Sequence, residues 1–90
     1  MKPEEKQIVI KAFGSNYIAP IRTHLMTTEL RNARGDHFSR ISIGHFVSGE
    51  RENEAVEIEI LRFATQTIEE KKAEAKAKAR ERRELLKKAQ

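Results

Sequence analysis

Apolar residues that recur every three or four positions predict four helices along this chain. The first extends from Pro3, a favourable first helical residue, to Phe13, and Gly14 ends it. The second begins at Asn16 as its N-cap and extends to about Thr28, so that a proline falls in its first turn. The predicted apolar stripes of these helices comprise Ile8, Val9, Ala12 and Phe13, then Ile18, Ile21, Leu25 and Met26.

A third, shorter helix is predicted over residues 39–48. Ser39 is a favourable N-cap, the preceding Phe38 can pack on Ile43, and Gly49 is a natural C-terminal stop. Its apolar face consists of Ile43, Phe46 and Val47. The connection before it is long, and a Gly at position 35 marks a turn within it.

The fourth predicted helix begins after Asn53 and is the longest. Its apolar stripe is formed by Val56, Ile60, Phe63, Ala64 and Thr67, and is widened by Ile58, Leu61 and Ile68. After Ile68 no large apolar residue occurs until Leu85 and Leu86, although Ala, Glu, Lys and Arg favour a helix there. We therefore expect an all-α bundle of four helices in residues 1–68 and a charged, solvent-exposed, helical or frayed tail in residues 69–90.

The net charge of +4 is unevenly distributed along the chain. Residues 1–68 hold nine Lys or Arg and nine Asp or Glu, whereas residues 69–90 hold nine and five, so the tail carries the whole excess. Within the neutral part, residues 22–51 contain five arginines and only three acidic residues. This distribution suits a polyanionic partner, although solvated charge on a small helical protein would produce it too.

Catalytic and metal-binding patterns are not evident in the sequence. The chain has no cysteine, and its three histidines, at 24, 37 and 45, do not have the spacing of metal ligands. Its glycines form no phosphate-binding loop, and its serines are better explained as helix caps. Because the apolar runs are short and no signal peptide is evident, we expect a cytoplasmic protein that is not an enzyme and needs no cofactor.

The segment FSRISIGHFVSGEREN, residues 38–53, resembles the recognition helix of the phage lambda repressor/Cro-like helix-turn-helix family. The resemblance extends over residues 16–61, and its features are the small Gly44, the terminal Gly49 and the polar residues that follow. The chain departs from the family by a loop about ten residues longer between the two motif helices and by lacking the usual Gln at the start of the second helix. The resemblance thus implies a helix-turn-helix bundle of a long-loop variant.

The resemblance also implies how this helix would contact DNA, since the N-terminal residues of such a helix reach base edges in the major groove. The implied base contacts are Arg40, Ile41, Ser42 and His45, and the implied phosphate contacts are Ser48, Arg51, Asn53 and the loop residue Arg34. For Ile41 a thymine methyl is one expected contact, and a place in the core beside Phe38 is the other.

The function we expect from the sequence is sequence-specific binding of double-stranded DNA by a small, repressor-like phage or bacterial transcription regulator. It would act as a homodimer, held together by surplus apolar residues of the fourth helix. One alternative is a protein-interaction module that docks a partner through the long C-terminal helix, and another is RNA binding through the basic tail. The DNA interpretation requires Arg40 and His45 to be exposed on one basic face.

Overall fold

The computed structural model describes residues 1–90 and contains four helices and no strands. They are α1 (Pro3–Phe13), α2 (Ile18–Met26), α3 (Arg40–Ser48) and α4 (Glu54–Ala89). The prediction of an all-α chain with four helices is confirmed. No helix has both the length and the apolar character needed to cross a bilayer.

One core joins all four helices. Helix α1 runs parallel to α4, as a contact at each end shows. At the start of α1 the Met1 amino group lies 2.9 Å from Glu57 Oε1, and at its end the Ala12 carbonyl accepts from Lys71 Nζ. Helix α2 packs against both α3 and α4. The buried side chains are Val9, Ala12, Ile21, Leu25, Phe38, Ile43, Phe46, Val47, Val56, Ile60 and Ala64. The predicted stripes therefore supply the core.

The second helix is shorter than predicted. It begins after Tyr17, and the Asn16 side chain does not cap it. It ends at Met26 because the next two threonines bond back to the last carbonyls: Thr27 Oγ1 donates to His24 at 2.6 Å and Thr28 Oγ1 to Leu25 at 2.7 Å. The predicted burial was also too broad, since Ile8 and Met26 are 37% and 42% exposed.

Helices α3 and α4 begin with the predicted caps. The Ser39 hydroxyl accepts from the Ser42 amide at 3.1 Å, and the Asn53 amide oxygen accepts from the Val56 amide at 3.3 Å. Gly49 closes α3 with φ +90°, a conformation that L side chains rarely adopt. These local devices fix where α3 begins and ends and where α4 begins.

Helix α4 continues well past the bundle and makes the molecule elongated, with extents of 62 × 26 × 18 Å. Every side chain beyond position 68 is exposed, and the hydrogen bond of Lys71 to α1 is the last one between α4 and the other helices. The expected surplus of apolar residues on this helix is smaller than predicted. Val56 and Ile60 are fully buried, Ile68 packs against the core, and Phe63 contacts Phe13 and His24, which leaves Ile58 and Leu61 for other contacts.

Candidate nucleic-acid interface

Helix α3 lies with one face in the core and the other in solvent. Phe46, which is 6% exposed, meets Phe38 edge to face with ring centroids 5.6 Å apart, and Ile43 and Val47 are fully buried beside them. This packing turns Arg40 and Ile41 outward at the first turn of the helix. Ile41 is 71% exposed, so the expectation that it belongs to the core is wrong.

The loop before α3 has a defined conformation. The side-chain oxygen of Asn32 accepts from the amides of Arg34 and Asp36, each at 2.9 Å, and Gly35 turns the chain with φ +82°. The guanidinium of Arg31 donates to the carbonyls of Thr28 and Leu30, each at 2.7 Å. The loop forms a turn without strands and holds its two arginines next to the start of α3.

A groove of about 670 Å³ separates this loop from α3. Arg31 and Arg34 line it on the loop side, Arg51 lines it on the far side, and the serines at 39 and 42 lie between them. Two carboxylates, Asp36 and Glu52, also line the groove and lower its positive charge.

A second, shallower depression of about 520 Å³ lies on the other side of the α3 N-terminus. It is lined by Arg22 and Arg40 together with Ser39 and Ile41. The position of Arg22 is fixed by its Nε, which donates to the Phe38 carbonyl at 3.2 Å. Arginines from α2, the loop and α3 thus lie at the N-terminal end of α3, and Arg51, from the α3–α4 connection, lines the same groove farther along the helix.

These five arginines share one electrostatic property: none has a carboxylate oxygen within 4.0 Å of its nitrogens. We call the five the arginine ring; its members are Arg22, Arg31, Arg34, Arg40 and Arg51. The first amides of a helix also carry partial positive charge, so the ring and the end of α3 both attract anions. Chemically, the surface is suited to phosphate oxygens and to planar acceptor pairs.

Two of the sequence-predicted site residues already have partners within the protein. His45 Nε2 lies 3.2 Å from Glu50 Oε2, while its Nδ1 is buried and makes no hydrogen bond. His45 is thus only partly available, with 32% of its side chain exposed, and is not free on a basic face as the DNA interpretation requires. The side-chain oxygen of Asn53 is used in capping α4, which leaves its NH₂ group for any phosphate.

The remaining predicted residues fall into two places. Ser42 lines the groove beside Arg34 and Arg51, near the exposed Arg40 and Ile41. Ser48 lies exposed at the opposite end of α3, where its hydroxyl donates to the His45 carbonyl at 3.2 Å. The structure therefore brings most of the predicted set to the N-terminal end of α3.

Sequence reasoning missed Arg22 as a member of this surface and left the role of Arg31 open. Arg22 is separated from Phe38 by sixteen positions, and only the packing of α2 on α3 makes them neighbours. The one available signal was the concentration of arginine between positions 22 and 51, which indicates a region and not an arrangement.

The histidines do not meet. The ring of His24 stacks on that of Phe63 with centroids 4.0 Å apart, and its Nε2 lies 2.9 Å from Glu59 Oε1. His45 instead pairs with Glu50. No group of three or more His, Cys, Asp or Glu side chains has the arrangement to hold a metal ion.

In comparisons with known proteins, no family model, curated protein or solved structure matches this chain.

Proposed function

We propose that the protein binds double-stranded DNA sequence-specifically, with α3 in the major groove, as a small transcription regulator of the helix-turn-helix type. The observation that carries the proposal is the arginine ring, which lies along α3 and at its exposed N-terminal end. A groove about 12 Å wide accommodates an α-helix, and α3 with its nine residues is about 14 Å long.

Within this proposal the first turn of α3 reads bases. Arg40 is exposed and unpaired, and a guanidinium can donate two parallel hydrogen bonds to guanine O6 and N7. Ile41 next to it presents an apolar side chain that packs on a thymine methyl. Ser42 is a shorter, secondary contact, because its hydroxyl already lies 3.1 Å from that of Ser39.

The other members of the arginine ring bind the phosphate backbone on both sides of the groove. Arg31, Arg34 and Arg51 approach one strand and Arg22 the other, while Ser48 and the Asn53 NH₂ group are peripheral contacts. Because phosphate contacts position the protein without reading sequence, this division separates affinity from specificity. His45 joins the base-reading set only if its contact with Glu50 opens.

The test begins with duplexes that the wild-type protein selects from a random library, compared with unselected duplexes at two salt concentrations. Arg40→Ala is expected to weaken binding to selected duplexes by about 1–3 kcal/mol, roughly 5- to 150-fold, and to leave unselected duplexes nearly unaffected. Arg62→Ala is the matched control, since the Arg62 side chain is 69% exposed on α4 and pairs only with Glu59.

Three outcomes would count against the proposal. Equal binding by wild type and Arg40→Ala removes α3 from base reading. Equal losses on selected and unselected duplexes make Arg40 a phosphate contact. Selection that enriches no sequence, together with tighter binding to single-stranded RNA of the same length, favours the RNA-binding alternative.

A further inference from the structure

Helix α4 has a face that its own bundle does not cover. On one side α1 packs along it as far as Lys71, and on the other side α2 contacts it through the His24 bond to Glu59. Between these contacts Ile58 is 48% exposed and, with the half-buried Leu61, lines an open groove of about 540 Å³. Four glutamates and one lysine surround the groove: Glu5, Glu52, Glu54, Glu57 and Lys2.

The same face continues along the exposed tail, and its charge changes sign halfway. A helix turns about 100° per residue. Viewed down the axis of α4, we take the centre of this face as the direction midway between Leu61 and Thr65, and we count as part of the face every residue within about 60° of that direction. In the first half they are Glu54, Glu57, Ile58, Leu61, Thr65, Ile68 and Glu69. In the second half they are Lys72, Ala75, Lys76, Ala79, Arg83, Leu86, Lys87 and Gln90. We call this set the α4 seam.

The two halves of the α4 seam are complementary to each other. The first half contains three glutamates and no Lys or Arg, and the second contains four Lys or Arg and no acidic residue. Glu54 and Glu69 form no salt bridge in the monomer, whereas Glu57 pairs with the Met1 amino group and accepts from the Asn53 amide. Lys72, Lys76, Arg83 and Lys87 are likewise unpaired. Two glutamates of the first half and the four cations of the second are therefore free to meet a partner.

From this pattern we infer that the α4 seam binds a second copy of the chain in the antiparallel direction. A parallel pair would place glutamate against glutamate and lysine against lysine, which is unfavourable, whereas an antiparallel pair places each acidic half on a basic half. The inference depends on charge and exposure alone and is independent of DNA binding.

Apolar residues agree with the same direction. In an antiparallel pair whose two-fold axis passes near Lys72, Ile58 and Leu61 of one copy lie opposite Leu86 of the other, and this contact occurs twice. Between the two apolar ends, Ile68, which also packs against its own core, lies opposite the small side chains of Ala75 and Ala79, which allow the helix axes to approach closely. The pairing from 58 to 86 spans about 42 Å of helix.

The first test is the solution mass, measured by light scattering at tens of micromolar protein. We expect twice the 10.4 kDa mass of one chain. Leu86→Glu places a carboxylate against the acidic half of the partner and is expected to yield the monomer. Leu85→Glu is the matched control: Leu85 is 57% and Leu86 63% exposed, and the two variants have identical composition, but Leu85 lies about 140° around the helix from the centre of the α4 seam.

The second test determines the direction of pairing. Because the chain has no cysteine, single cysteines report on one position each. Thr65→Cys mixed with Ala79→Cys is expected to form a disulfide-linked heterodimer under mild oxidation, while Ala79→Cys alone is expected to link poorly, since its two copies lie roughly 20 Å apart.

Several results would overturn the inference. A monomer mass for the wild-type chain would do so, and the α4 seam would then have to bind a different protein. So would equal effects of the Leu85 and Leu86 substitutions, which would indicate nonspecific loss of tail structure. Preferential linking of Ala79→Cys to itself would show a parallel pair. None of these outcomes bears on whether Arg40 reads bases.

Discussion

Replacing Phe46 by alanine is expected to lower the free energy of unfolding by about 3–5 kcal/mol. The side chain is 6% exposed and its ring contacts that of Phe38, so its removal leaves a cavity at the junction of α3 with the bundle. A domain of this length is only marginally stable, and the substitution would unfold much of the population. Urea denaturation followed by fluorescence of Tyr17, the only tyrosine, measures the effect in the bundle.

Ile41→Ala is the control for this substitution. It removes a comparable apolar side chain from the same helix, but one that is 71% exposed, and is expected to change stability by less than about 0.5 kcal/mol. If Phe46→Ala and Ile41→Ala proved equally mild, Phe46 would not lie in the core and α3 would be rotated about its axis. The set of residues available to DNA would then change with it.

Removal of the tail after Lys72 is expected to leave the bundle folded and to flatten the salt dependence of DNA binding. The deletion removes seven Lys or Arg and three Glu, all of them exposed, and it keeps the bond from Lys71 to the end of α1. Each phosphate that is no longer neutralised by the protein changes the log–log slope of affinity against salt by about 0.9, so three such phosphates would change it by about 2.7.

The full-length Leu86→Glu variant separates charge from pairing in this experiment, since it keeps the tail but is expected to be monomeric. Four of the deleted cations lie off the α4 seam: Lys78, which pairs with Glu74, and three that form no salt bridge and remain available to phosphates in the dimer, Arg80, Arg82 and Lys88. An unchanged slope after deletion would exclude the tail from DNA binding. A fall in the urea midpoint would instead show that the tail supports the bundle.

The features that could be predicted from the sequence are local ones. The caps at Ser39 and Asn53 and the stop at Gly49 depend on backbone amides a few positions away, and the burial of Phe46 follows from helical spacing. For this reason the helix count and most of the core could be anticipated.

The features that could not be predicted depend on contacts between elements. Arg22 joins the arginine ring only because α2 packs on α3, and no periodicity places it beside Phe38. Glu50 pairs with His45 and so reduces its availability. Glu50 lies beyond the end of α3, where the turn sets the path of the chain and helical spacing does not apply. At the early end of α2 the amide and the hydroxyl of Thr27 both bond the His24 carbonyl, and those of Thr28 both bond the Leu25 carbonyl, so the helix closes in a tight turn.

The unequal packing of α4 has a consequence for amide hydrogen exchange. Up to Lys71 its amides open only when the bundle unfolds, whereas beyond that point an isolated helical segment opens and closes rapidly by fraying. One uninterrupted helix would thus show two exchange regimes in the monomer. Antiparallel pairing joins each fraying segment to the protected part of the other chain. The protection of amides beyond residue 72 against exchange should therefore rise steeply with protein concentration, while exchange in the rest of the molecule is unchanged.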